Sequence, residues 1–253
     1  MRRPVSLVSA LALIALLAVS APGPAAGTGP AAPTQGLVLH YAFESLTNGV
    51  VTDSAGSSLD GHVVSAAGSP SLVASLSGYG KAIELTGTSH QYVDVALLPV
   101  LDVDHYTLSA WVRYTGVQND LTLERWEVLE KAGAYWMNVR TNGLVRVGGF
   151  YGGCTNPAWQ NLDSTRAVKV NTWRHVATTY DGARLRIYID GKAAGSKAIT
   201  GRTCVSGQPL AVGAKNAPAK GLLEAFWDGR LDDVRIYDRA LSATEIGQLA
   251  ARP

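Results

Sequence analysis

Trp173 to Lys192, WRHVATTYDGARLRIYIDGK, reads as two strands punctuated by two turns. Asp181-Gly182 offers the positive φ angles that a tight hairpin needs, with β-branched and aromatic residues on either side. In the second run Leu185, Ile187 and Ile189 alternate with Arg184, Arg186 and Tyr188. A period of two puts the first three on one face and the others on the opposite one, so this strand buries a single side. Asp190-Gly191 repeats the turn chemistry, as an antiparallel meander with short connections demands.

The same reading extends in both directions. Leu37, Leu39, Tyr41 and Phe43 alternate along a first strand, and 48–61 is loop by composition. Strands follow at 81–85, 91–95 and 106–115. Trp136–Arg140 and Leu144–Val147 flank the turn pair Asn142-Gly143 as a second hairpin, and 209–213 and 230–237 supply later strands. Ser242-Ala243-Thr244-Glu245 is a capping box, after which Ile246 and Leu249 share one face of a short helix. Many short strands joined by hairpin turns predict an all-β chain, a two-sheet antiparallel sandwich closed by one short C-terminal helix.

Three blocks resemble the laminin-G-like, concanavalin A-like jelly-roll domains of secreted bacterial proteins. They are Gly36–Phe43 with Asp53-Ser54-Ala55-Gly56, the Trp173–Lys192 hairpin, and Gly229–Ser242. The resemblance runs from about residue 36 to the end and implies a jelly-roll fold. It bears much less on activity, because function resides in sites placed on folds.

Met1-Arg2-Arg3, the apolar run Val5–Val19 and the small residues Val19-Ser20-Ala21 form a secretory signal peptide, 1–21. Residues 22–35 are Pro- and Ala-rich and read as a flexible linker, leaving 36–253 as one jelly-roll domain. An extracellular location follows, with no membrane association after cleavage. The formal charge of +2 vanishes with Arg2 and Arg3. A neutral chain without basic runs argues against nucleic acid as a partner. Cys154 and Cys204 fall in one exported domain, where a disulfide is expected.

Asp53 and Asp60 lie in a flexible loop, and strict alternation along Leu231–Ile236 puts Asp232 on the buried face with Val234 and Ile236. A carboxylate there needs a cation or donors. The resemblance implies a calcium ion held at the sandwich rim by Asp53, Asp60 and Asp232, with Glu44 a weaker addition. Asx turns at Asp53 and Asp60, and pairing of Asp232 with Arg230 or Arg235, are the plainer account.

Opposite Met137 and Val139 stand Trp136, Asn138 and Arg140; Trp111 and Arg113 stand likewise opposite Ala110 and Val112, and Tyr188 takes an outward phase. Flat aromatic surfaces beside amide and guanidinium donors suit sugars, so these six are candidate ligand-binding residues. An ordinary solvent face with Trp111 packed under a loop would show the same pattern. Tyr151 and Trp159, near Cys154, are placed to line a pocket that the disulfide steadies.

Glucanases of this fold carry Glu-x-Asp-x-x-Glu on one strand face, and that pattern is not found here. Glu124 and Glu127 are an odd number apart, and no Gly-x-Ser-x-Gly, His-Glu-x-x-His or Gly-rich phosphate loop is present. The function expected is a secreted, non-catalytic module that binds a glycan or cell-surface polysaccharide with calcium. A protein-binding adhesion module is the alternative, and a glycoside hydrolase stands behind both.

Overall fold

The computed structural model describes residues 31–117, 123–155, 158–204, 206–217 and 222–251. The expected signal peptide, 1–21, and most of the expected linker lie outside them. One sheet runs β14 (Lys192–Ala198), β13 (Arg184–Ile189), β12 (Arg174–Tyr180), β7 (Tyr106–Tyr114), β18 (Gly229–Tyr237), β5 (Lys81–Leu85) and β4 (Ser71–Ala74). A further strand, β1 (Leu37–Tyr41), also pairs with β18. The other sheet runs β11 (Ala158–Ala167), β10 (Leu144–Tyr151), β9 (Tyr135–Arg140), β8 (Arg125–Lys131), β15 (Leu210–Val212), β6 (Tyr92–Val95), β3 (Gly61–Val64) and β2 (Val50–Val51). A separate ribbon joins β16 (Lys215–Ala217) to β17 (Leu222–Glu224), and the helix α1 spans Ala243–Ala250. All pairings in the two sheets are antiparallel, as the alternating pattern requires.

The hairpin that organises the sequence is present, with its turns exchanged in character. Asp190 and Gly191 take φ of +48° and +71°, the left-handed pair that suits a two-residue turn, and Ile189 faces Lys192 across it. At the other turn only Gly182 is left-handed, and the Asp181 carboxylate holds the chain by accepting from the amides of Ala183 and Arg184. Leu185, Ile187 and Ile189 enter the core between the sheets beside Leu39, Leu108 and Met137. Burying such side chains drives the two sheets together, at about 25 cal/mol per Å² of apolar surface.

Several elements depart from the sequence reading. Strands β2, β3, β4, β8 and β11 carry no clean alternation, and β2 lies inside the stretch read as loop. Residues before Gly36 already pack: Pro33 and Gln35 carbonyls accept from Tyr237 and Arg239, and Ala32 joins the apolar cluster under α1. That cluster also holds Ala177, Tyr188, Tyr237, Ile246 and Leu249, so α1 covers the outer face of the first sheet. Its capping box is complete, with the Ser242 hydroxyl accepting from the Glu245 amide.

Alternation fails at bulges in three strands. In β1 the register shifts between Leu37 and Leu39, so Val38 joins Leu39, Tyr41 and Phe43 in the core while Leu37, expected on their face, packs in the cluster under α1. In β18 the register shifts between Asp232 and Arg235, and Asp233 takes φ of +50°. The inserted residue puts Leu231, Val234 and Ile236 in the core and turns Asp232 away from them, contrary to the strict period of two. In β8 the shift falls between Glu127 and Leu129. Val128 and Leu129 both enter the core there, and Glu127 and Glu130 both face outward.

Candidate functional site

The outer face of the second sheet carries a cleft of about 200 Å³. Its floor is Glu127 and Glu130 of β8 with Asn138 of β9, and its wall is Trp136, Phe150 and Trp159. Arg125, Arg146 and Lys215 complete the lining. Trp136 and Trp159 stack with centroids 5.8 Å apart and planes 18° from parallel, while Phe150 meets Trp136 edge-on at 6.1 Å. The stack buries Trp136 and leaves Trp159 54 % exposed. Gly148 permits it: a Cβ there would fall 2.3 Å from Trp136 Cζ2 and 2.4 Å from the Gln160 carbonyl oxygen. The indole therefore lies directly on the β10 backbone.

The cations around the floor each have a carboxylate. Arg125 Nε is 3.3 Å from Glu127, Arg146 donates twice to Asp163 at 2.6 and 2.7 Å, and Lys215 pairs with Glu224. Asn138 Nδ2 donates to Glu127 at 3.3 and 3.4 Å. Glu130 Oε2 and Asn138 Oδ1 are buried with no hydrogen-bond partner among the described residues. Burial pushes both floor carboxyls up. Arg125 and Asn138 draw Glu127 part of the way back, whereas Glu130 faces the charge of Glu127 and rises further.

Each group holds its proton more tightly folded than unfolded. Their contribution to stability is therefore complete below the ordinary carboxylate range and is lost as pH rises through the raised values. Glu130→Gln should raise Tm at pH 8 by roughly 2–4 °C per kcal/mol recovered, and leave it unchanged at pH 4. Thermal scans of both proteins at the two pH values check this, and coincident curves at pH 8 would refute it.

Of the six expected ligand residues, Trp136 and Asn138 line the cleft. Arg140 lies on the same sheet, 3.7 Å from Asp163 and 3.8 Å from Glu124. Trp111, Arg113 and Tyr188 belong to the first sheet and face the opposite side of the sandwich. Trp111 is buried against Tyr79 and His175, Tyr188 is buried under α1, and Arg113 donates to the Asn171 carbonyl. The expected surface thus divides between two faces, one of them covered. Trp159 joins the cleft, whereas Tyr151 is buried and bonds Tyr106 through its hydroxyl at 2.7 Å. Cys154 and Cys204 form a disulfide where β10 leaves the sheet.

Sequence reasoning set Glu127 aside because its odd spacing from Glu124 puts those two on opposite faces of a regular strand, and it did not reach Glu130. The signal lay in the glucanase spacing itself. Arg125-x-Glu127-x-x-Glu130 has that spacing with arginine in the first carboxylate's place and glutamate in the second's.

The residues expected to hold calcium do not form one donor set. Asp53 is saturated by the amides of His40, Ala55, Ser57 and Leu59 at 2.9–3.4 Å, and Asp60 accepts from the Asp53 amide at 2.8 Å. Asp232, turned by its bulge, accepts from the Ser75 hydroxyl and the Asp233 amide. No three acidic, histidine or cysteine side chains come together as a metal site among the described residues. Only Asp232 keeps the character of a cation ligand. It has no ion pair among the described residues, and burial, with Asp233 and Glu44 adding to it, pushes its carboxyl up to about 7.

Residues 86–247 match the profile of the concanavalin A-like lectin/glucanases superfamily. That span is more than half of the chain, and the chain belongs to this superfamily. Among solved structures, it is similar to domain 4 of AbnA, an extracellular GH43 arabinanase from Geobacillus stearothermophilus, determined in complex with arabinotriose. The TM-score is 0.60 at 19 % identity, covering 85 % of this chain and 98 % of that domain. It is also similar to the binding domain of Paraclostridial Mosquitocidal Protein 1, with TM-score 0.65, 18 % identity, and 85 % and 52 % of the two chains covered. The binding domain of botulinum neurotoxin DC, in complex with SialylT, gives TM-score 0.60 at 13 % identity over 86 % and 51 %. The chain spans about half the length of these toxin domains. No curated protein is similar enough in sequence to count as a relative.

Proposed function

We propose that the chain is an exported, non-catalytic binding module whose cleft on the second sheet holds a carbohydrate. The observation that carries this is the Trp136–Trp159 stack rising beside Asn138, Glu127 and Glu130 in one narrow cleft. Sugars present apolar C–H faces and directional hydroxyls, and an aromatic wall above polar groups matches both. The arabinotriose and SialylT complexes of the similar domains support the reading. So does the polar floor: of the large apolar side chains left exposed among the described residues, Trp159 alone lines the cleft. A broad apolar patch would have favoured the protein-binding alternative, for which the synaptotagmin II complex of a similar toxin domain is the precedent.

Arg125 supports a non-catalytic role. It occupies the first carboxylate position of the glucanase spacing, and its contact with Glu127, with both Glu127 oxygens also bound by Asn138, leaves no free pair of carboxylates for acid and nucleophile.

The test is a glycan array on the domain and on Trp159→Ala, a variant of an exposed residue that leaves the core intact. Saturable binding weakened 10–100-fold by the substitution, as loss of about 1–3 kcal/mol of stacking predicts, supports the reading. Binding that ignores Trp159 refutes this location.

Calcium would bind through Asp232 and Glu44 rather than the Asp53 loop. An ion there would neutralise the raised Asp232 carboxyl and steady the loop beginning at Ser75, supplying structure and no chemistry. Calcium at 100-fold its Kd should stabilise the domain by about 2.7 kcal/mol, and Asp232→Asn should abolish the effect. Thermal unfolding indifferent to calcium and chelator would sink this part of the proposal alone.

A further inference from the structure

We propose that the sugar unit held in this cleft carries a free ammonium group, bound at the floor by Glu130 and the Asn138 carbonyl oxygen with the Trp159 ring beside it. The ligand class is an amino-bearing glycan such as a de-N-acetylated hexosamine oligomer. This inference rests on the carbohydrate reading of the cleft and specifies its substrate.

The hydrogen-bond inventory of the floor is short of donors. Glu130 is 7 % exposed and Asn138 2 %, and each presents a buried acceptor oxygen with no donor among the described residues. Leaving such atoms unpaired costs about 1–3 kcal/mol each. A ligand that settles there must bring donors and keep its own acceptors away. A hydroxyl brings one donor and two acceptor lone pairs, whereas an ammonium brings three donors and no acceptor. An N-acetylated nitrogen brings one donor and places a carbonyl beside the Asn138 carbonyl oxygen, which cannot donate to it.

The floor and its surroundings also hold one carboxyl more than they hold cations among the named pairs. Glu127 faces Arg125 on its own strand, Arg146 of β10 is held by Asp163 of β11, and Lys215 of β16 is held by Glu224 of β17. Glu130 is the carboxyl without an ion pair among the described residues, and its proton keeps it neutral while the cleft is empty. β9 contributes no charge to the floor, only Trp136 and Asn138. An ammonium supplies the missing positive charge, and an exposed indole face attracts a cation by about 0.5–2 kcal/mol.

A proton balance follows from the missing donors and the missing charge. Burial and the Glu127 charge, only partly offset by Lys215 and Arg125, keep a proton on Glu130 while the cleft is empty. Arrival of an ammonium favours the carboxylate, so the Glu130 carboxyl gives its proton to solvent as the ion pair forms. One proton is released per ammonium bound, and no bond is made or broken in the sugar.

The experiment is titration calorimetry at pH 5, where the hexosamine amine is protonated, with chitosan hexamer and its fully N-acetylated counterpart. It is run in two buffers of different ionisation enthalpy, on the wild-type domain and on Glu130→Gln. The expected result is at least tenfold tighter binding of the amino form, release of close to one proton, and loss of both in Glu130→Gln. Glu130→Gln should fold, since it removes a buried titrating group, and Trp159→Ala provides a second variant that must weaken both ligands. Equal affinity for the two hexamers, or preference for the N-acetylated one, overturns the ammonium inference and leaves the carbohydrate reading standing. Failure of both hexamers and of every neutral glycan on the array overturns the two together. Binding of a lysine-rich peptide with the same Glu130 dependence, in place of any oligosaccharide, assigns the cleft to a protein partner and overturns both.

Discussion

Replacing Cys154 and Cys204 together by serine should lower the stability of the domain by about 4 kcal/mol, the loop-closure entropy of a crosslink spanning 50 residues. Denaturant titration of oxidised wild type against the double variant measures it. The native backbone around the bridge is already fixed by hydrogen bonds, with Cys204 N donating to the Phe150 carbonyl and the Gly152 and Gly153 amides donating to Arg202. The variant is therefore expected to fold to the same structure, and the loss should arise in the unfolded chain. A loss below about 1 kcal/mol would show that the unfolded chain is already compact around this segment. Phe150 and Trp159 flank the bridged segment, so glycan affinity should also fall as the variant approaches its lower melting temperature.

Asp53→Ala should cost about 3–5 kcal/mol, since it strips the acceptor from four amides at once and water reaches only part of them. Asp53 is 7 % exposed, and its two oxygens gather the amides of His40, Ala55, Ser57 and Leu59 into one turn. Leu59, at the end of that turn, is fully buried, and its carbonyl accepts from the buried Tyr41 hydroxyl. Loosening the loop therefore reaches the core. Asp53→Asn retains one acceptor oxygen and should recover about half of the loss. Thermal unfolding of both variants with and without millimolar calcium should show no rescue. Rescue by calcium would return Asp53 to the role of metal ligand and refute its role as the acceptor that closes this turn.

The sandwich was legible from the residues alone because its strands obey a period of two: Leu185, Ile187 and Ile189 face inward, as do Met137 and Val139. Turn chemistry was legible too, although the left-handed pair falls at Asp190-Gly191 and only one such residue, Gly182, at the other turn. The site was less legible, and the cause is local. A bulge inserts one residue with no mark in composition, and it reverses the face of everything beyond it. Asp232 was consequently assigned to the core side, and nothing in a period of two marked Glu127 and Glu130 as neighbours on one face. Alternation also gives phase without saying what covers a face. Trp111 and Tyr188 do point outward, but the loop bearing Tyr79 and the helix α1 lie over them. Trp136 and Trp159 could each be named, whereas their stacking depends on the pairing of β10 with β11, which no local pattern reveals.

The segment around Pro33 and Gln35 and the helix α1 pack together on the outer side of the first sheet. The cleft opens from the outer side of the second. Polypeptide attached at either end would emerge from the back of the sandwich, with the full thickness of two sheets between tether and ligand. A module built this way could be strung beside others, or held at a surface by a leash, with its cleft turned away from the points of attachment.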